Sequence, residues 1–160
     1  MYYLDSDDIL TPEALAYLYK TASSNDLDLL YFNALVRYEA ADVEEAHKSN
    51  RYYYYEGYSS YAPCSGPALY VELRKQRAFR SSACLQIIKR SFSLEVGATF
   101  REGILHEDNL YTFETILQAK RAMKVSDPLY IRTYRNDSIM TARPRATNVL
   151  GYLACMTGMV

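Results

Sequence analysis

Carboxylates gather at two points of this chain, each at the end of a short apolar run. Asp5-Ser6-Asp7-Asp8 follows Tyr2-Tyr3-Leu4, and His106-Glu107-Asp108 follows Gly103-Ile104-Leu105. Neither place is one where a core wants charge, and each falls where a strand or loop hands over to a helix. In an open α/β sheet, ligands bind along the edge formed by the carboxyl ends of the strands. The first cluster suits a hard divalent cation, Mg2+ or Mn2+, which takes carboxylate oxygens together with phosphate oxygens of a substrate. The second suits a proton acceptor fixed by a helix start. Both have plainer readings. An isolated Asp-x-Asp can simply cap the helix after it, where negative charge is favourable. Glu107 or Asp108 can do the same for its own helix, and a lone His106 is an ordinary surface residue or a neighbour of the base.

The elements that must position these groups are partly legible. Thr11-Pro12-Glu13 reads as a helix start, with Thr11 as cap and Pro12 at the first helical position. Leu15, Leu18 and Tyr19 follow at helical spacing, and Ser23-Ser24-Asn25 ends the run. Residues 28–38 are apolar and β-leaning, a strand. Residues 39–50 are polar and acidic, a loop or hairpin tip, and 52–55 read as a short strand. Gly66-Pro67 opens a helix to about Arg77. The period of 84–89 leaves strand and short helix both open. Residues 109–120 form the clearest helix, with Leu110, Phe113, Ile116 and Leu117 on one face. Residues 122–126 and 129–135 read as two strands joined at Asp127-Pro128, and a last helix covers about 145–156. Residues 5–8 look like the end of a central strand with only four residues before it, so upstream strands are expected to complete the sheet.

Composition narrows the class. At 160 residues the chain is expected to be a single domain, 1–160, large enough for a proper core. A net charge of −1 argues for no nucleic-acid partner. Cys64, Cys84 and Cys155 form no CxxC and no metal-ligand spacing, which reads as reduced thiols in a cytosolic chain. The amino terminus lacks the basic and long apolar regions of a secretory signal. The stretch 149–160 is too short to span a bilayer and is broken by glycines. Of 17 tyrosines, six fall within 52–61. They read as a half-buried hairpin or an interface in preference to a sugar-stacking surface. Lys89-Arg90 and Arg143-Pro144-Arg145 read as solvated faces.

Three segments together resemble a family. Tyr3-Leu4-Asp5-Ser6-Asp7-Asp8 is similar to the D-x-D segment of family 2 glycosyltransferases, the large group with the GT-A fold. Phe100-Arg101-Glu102-Gly103-Ile104-Leu105-His106-Glu107-Asp108-Asn109-Leu110 resembles the segment that supplies their catalytic base. Tyr134-Arg135-Asn136-Asp137-Ser138-Ile139-Met140 is similar to the Arg-Asx-x-Ser-Ile segment of capsular-polysaccharide members. The resemblance implies an α/β fold, a partial GT-A-type mixed sheet with flanking helices. It implies that Asp5, Asp7 and Asp8 hold Mn2+ or Mg2+ and the diphosphate of a nucleotide sugar (a UDP-linked donor), with Asp7 the most direct ligand. Asp108 would be the base that deprotonates the acceptor hydroxyl, Glu107 its neighbour or substitute, and His106, Arg135 and Ser138 substrate-binding residues. The acceptor would be a glycan or a lipid-linked sugar, and the setting cytoplasmic or peripheral at the inner membrane face.

The match also has a gap. The family's nucleotide-binding half, with its Asn-bearing turn and Gly-Ser-x-Asp segment, has no counterpart here. The expectation is an acceptor-side part that binds nucleotide sugar poorly and does not turn over alone, and whose open sheet edge favours self-association. Two other functions compete. A haloacid-dehalogenase-type phosphatase also begins with an apolar strand and Asp-x-Asp. However, the residue two after the second Asp is usually Thr or Val there and is Ile9 here, and no downstream Gly-Asp-x-x-x-Asp follows. A glycan-binding or scaffold fragment would keep the fold without the chemistry.

Overall fold

The structure is a computed structural model that describes residues 1–48, 59–136 and 146–158. The expected 52–55 strand, most of the tyrosine cluster, Ser138 and Arg143-Pro144-Arg145 lie outside the described residues. Two long parallel strands, β2 (Leu29–Tyr38) and β5 (Ala122–Tyr134), form the centre of a mixed sheet. The strand order is β1-β5-β2-β4. At one end β1 (Ile9–Leu10) runs antiparallel to β5, and at the other β4 (Gln86–Ile88) runs antiparallel to β2. The short β3 (Tyr61–Cys64) pairs with the first part of β5.

Side-chain alternation along β2 builds a core on each face. Leu29 and Tyr31 pack with Leu69, Leu73, Ile88, Phe92 and Ile116. Leu30 and Phe32 pack with Leu18, Val43, Leu85 and Tyr130 on the other side. A strand covered on both faces needs a near-continuous apolar run, which is why 28–38 is readable as a strand. Helices α1 (Ala14–Ser24) and α2 (Ala41–His47) cover the second face. Helices α3 (Gly66–Lys75), α4 (Arg90–Val96) and α5 (Asp108–Gln118) cover the first. A last helix, α6 (Ala146–Gly158), lies against α5.

Several elements differ from the sequence reading. The polar stretch 39–50 contains helix α2, whose acidic Asp42 and Glu44 sit in the favourable first turn while Val43 alone is buried. One buried residue in a short helix leaves no apolar period to read. Thr11 does not cap α1. Its backbone N–H and hydroxyl both reach Leu129 O, at 2.9 and 3.4 Å, and the helix starts at Ala14 behind Glu13 at φ 61°. Residues 84–89 are both alternatives in turn, a 3-10 turn (Ala83–Leu85) and then β4. Asp127-Pro128 does not separate two strands. It lies in a bulge of one strand, where a residue without an N–H interrupts no ladder bond. Asn33 spans that bulge, its amide donating to Ser126 O at 2.9 Å and its Oδ1 accepting from buried Lys124 at 2.5 Å. The run before Asp5 is not central among the described strands. Tyr2 forms an isolated antiparallel bridge to Ile87, on the outer side of β4. No helix of the described residues is long and apolar enough to cross a membrane.

Candidate active site

The first acidic cluster is a tight turn. Asp8 N–H donates to Asp5 O at 3.2 Å, which leaves Ser6 and Asp7 at the tip. Asp5 and Asp7 face solvent, whereas Asp8 is turned inward and is only 9 % exposed. Its two carboxylate oxygens accept from the Tyr130 hydroxyl and, at 2.6 Å, from the Thr133 N–H. Asp7 pairs with the Arg135 guanidinium at 3.1 Å, just past the carboxyl end of β5. Arg135, assigned from the sequence as substrate-binding, therefore stands beside the D-x-D carboxylate.

The second cluster is set by backbone geometry. Gly103 and His106 both take positive φ, 75° and 68°, which bends the loop into the start of α5. The His106 carbonyl accepts from Asn109 N–H at 3.0 Å and from the Asn109 amide at 3.1 Å. The His106 side chain points to α6, 3.1 Å from the Asn148 amide and stacked on Tyr152 at a ring separation of 4.2 Å. It thus bridges the loop to the last helix. Glu107 and Asp108 begin α5, both partly buried.

Asp108 is the perturbed group. Burial pushes its carboxyl up to about 6, with Glu107 and Asp5 adding in the same direction. The Ala83 N–H and the Arg132 guanidinium oppose the shift. The contribution of Asp5 matters most for the architecture: the two acidic clusters, far apart in sequence, lie close enough that one charge acts on the other. Cys84, on the same 3-10 turn as Ala83, has a thiol that burial and then Asp5 raise to about 11. It stays protonated at neutral pH and is no nucleophile. Sequence reasoning missed Arg132, Tyr130 and Thr133. All three belong to β5, whose apolar-rich run gave no sign that it serves the site as well as the core.

Among the described residues, no three His, Cys, Asp or Glu side chains converge to hold a metal ion. Asp5 and Asp7 remain as two solvent-facing carboxylates. A cation of the Mg2+ or Mn2+ type, which keeps several waters and completes its shell with substrate phosphate, asks for no more than one or two carboxylates from the protein.

A curled mixed sheet between layers of helices places this chain in the class of partial GT-A-type glycosyltransferase folds. Among solved structures it is similar to S. aureus TarS, a GT-A-type family 2 glycosyltransferase. The crystal structure of TarS 1–349 in complex with UDP-GlcNAc matches with a TM-score of 0.68 and 16 % identity, over 99 % of this chain and 42 % of that one. The crystal structure of TarS 1–349 described without that ligand matches with a TM-score of 0.56 and 18 % identity, over 82 % and 35 %. The likeness is one of fold, and the chain spans less than half the length of either structure. No protein-family model and no curated protein matches the sequence.

Proposed function

We propose that this chain is the acceptor-side part of an inverting glycosyltransferase of the capsular or exopolysaccharide type. It would move a sugar from a nucleotide-sugar donor to a hydroxyl of a glycan or lipid-linked acceptor. The observation that carries this reading is that Asp5 lies near enough to Asp108 for its charge to be felt there, while Asp7 of the same turn pairs with Arg135. In this reading Asp108 takes the proton of the acceptor hydroxyl. A carboxylate with a pKa near 6 is ionised at neutral pH yet more basic than an ordinary aspartate. The acceptor oxygen attacks the anomeric carbon, the bond to the diphosphate oxygen breaks, and one in-line displacement inverts that carbon. Arg135 offers a cation to the leaving diphosphate, and its pairing with Asp7 holds it at the strand end until the donor arrives. Asp5 and Asp7 would hold Mn2+ or Mg2+, which supplies positive charge to the departing diphosphate. Glu107 adds negative charge beside Asp108 that makes it a stronger base, and His106 fixes the loop that carries both. The UDP-GlcNAc held by TarS makes a UDP-linked donor the first to test.

The short span of the match to TarS supports a second reading, a non-catalytic glycan-binding or scaffold fragment. Titration of UDP by calorimetry, with Mn2+ and then with chelator, separates the two. Metal-dependent binding that is lost in Asp7→Asn is the result expected of a transferase site. In a longer form carrying a nucleotide-binding half, Asp108→Asn should retain donor binding and lose nearly all turnover. UDP silence in both forms would favour the scaffold.

A further inference from the structure

The first acidic cluster holds three carboxylates in four residues, but their surroundings differ. Asp5 and Asp7 are exposed; Asp8 is buried, with one oxygen taken by the Tyr130 hydroxyl and the other by the Thr133 N–H. Tyr130 is 0 % exposed and sits in the core on the α1 side of the sheet. Burial and the Asp8 charge both raise its pKa, so its proton is kept and donated. Thr133 is itself anchored, its hydroxyl accepting from Arg37 of β2 at 3.0 Å. Two residues further along the same chain, Arg135 meets Asp7. Asp8 also closes the turn through its own N–H to Asp5 O. A buried carboxylate whose two oxygens both face internal donors is turned away from a solvent-borne cation, whereas the turn tip it supports is open.

We infer that Asp8 and Tyr130 are positioning residues, a clamp that ties the acidic turn to β5 and holds Asp7 opposite Arg135. Asp8 is then not a cation ligand. This rests on the reading of Asp5 and Asp7 as the metal- and diphosphate-facing groups, although the clamp itself is a property of the free chain.

The test uses Tyr130→Phe, which keeps the ring, together with Asp8→Asn and the double variant. In amide spectra of the free chain, Tyr130→Phe should shift the Asp7, Asp8, Thr133 and Arg135 signals and leave that of Leu69, in the core on the opposite face, in place. Exchange at the Thr133 amide should rise roughly tenfold. In the UDP and Mn2+ titration, each single variant should weaken binding roughly tenfold and the double variant no further, because the two residues act as one unit. Unmoved signals at Asp7 and Arg135 in Tyr130→Phe would overturn the clamp. So would a double variant weakened by the product of the single effects, since Asp8 would then act independently of Tyr130, as a ligand does. If neither the chain nor a longer form binds UDP, the transferase reading fails and the spectra alone decide the clamp. If Asp8→Asn does not fold, Tyr130→Phe carries the test.

Discussion

Asp108 is subject to opposed demands in the proposed function, since the base it would be must ionise and burial of its carboxyl resists that. Its folded pKa of about 6 lies above the ordinary 3.8, so the folded chain holds this proton more tightly than the unfolded one. The group therefore favours folding below about pH 4, and the benefit is lost as pH rises through about 6. At pH 8 the ionised form costs at most ~3 kcal/mol. Asp108→Asn should raise stability by ~1–2 kcal/mol at pH 8 and change it little at pH 4. Urea unfolding at the two pH values checks this, and equal effects at both would show that ionisation is not the cause. In an active longer form, kcat/KM should rise with pH along a limb centred near 6. At this scale the sequence drew attention to both acidic clusters, because charge on the end of an apolar run is conspicuous. It did not show that Asp8 differs from Asp5 and Asp7. That difference is made by Tyr130 and Thr133, and nothing local in 5–8 encodes them.

Helix contacts are close enough at two glycines to be tested by a single methyl group. A Cβ at Gly66 would lie 1.8 Å from Ile116 O, where α3 starts against α5. Gly66→Ala must push the helices apart and should cost ~3 kcal/mol, seen as a lower Tm. A Cβ at Gly151 would meet Leu105 O at 2.1 Å, so Gly151→Ala should lift α6 from the loop that carries His106. Loss of the ring-current shift between Tyr152 and His106 is the expected signature, at a stability cost of ~1–3 kcal/mol. An unchanged His106 spectrum would mean that α6 does not hold the loop. Elements with a full apolar face, β2 and α5, were legible from the sequence. Helix α2 was not, because seven residues with a single buried Val43 carry no period. The unity of β5 was not either, because Asp127-Pro128 looks like an ending and only the pairing with Asn33 and Ala34 of β2 carries the strand through.

For the molecule as a whole, the outer side of β4 is met, among the described residues, by a single bridge from Tyr2, with Met1 N and Met1 O bonded to Ile88 at 2.6 and 3.0 Å. Such an edge is a template for further pairing. The chain is expected to self-associate at high concentration, and a monomer by light scattering across the concentration range would exclude it. The general architecture was foreseeable because the three motif segments occur in order along the chain. The pairing scheme was not, since β-register depends on partners remote in sequence. That remoteness also sets the order of events in folding. The central pair joins residues 29–38 to 122–134 in parallel, so no short hairpin can close it. During synthesis β2, apolar toward both faces, must wait without its partner until β5 has left the ribosome. Sheet closure is then a late, long-range step of the kind that slows folding, and the waiting strand is the segment most in need of a chaperone.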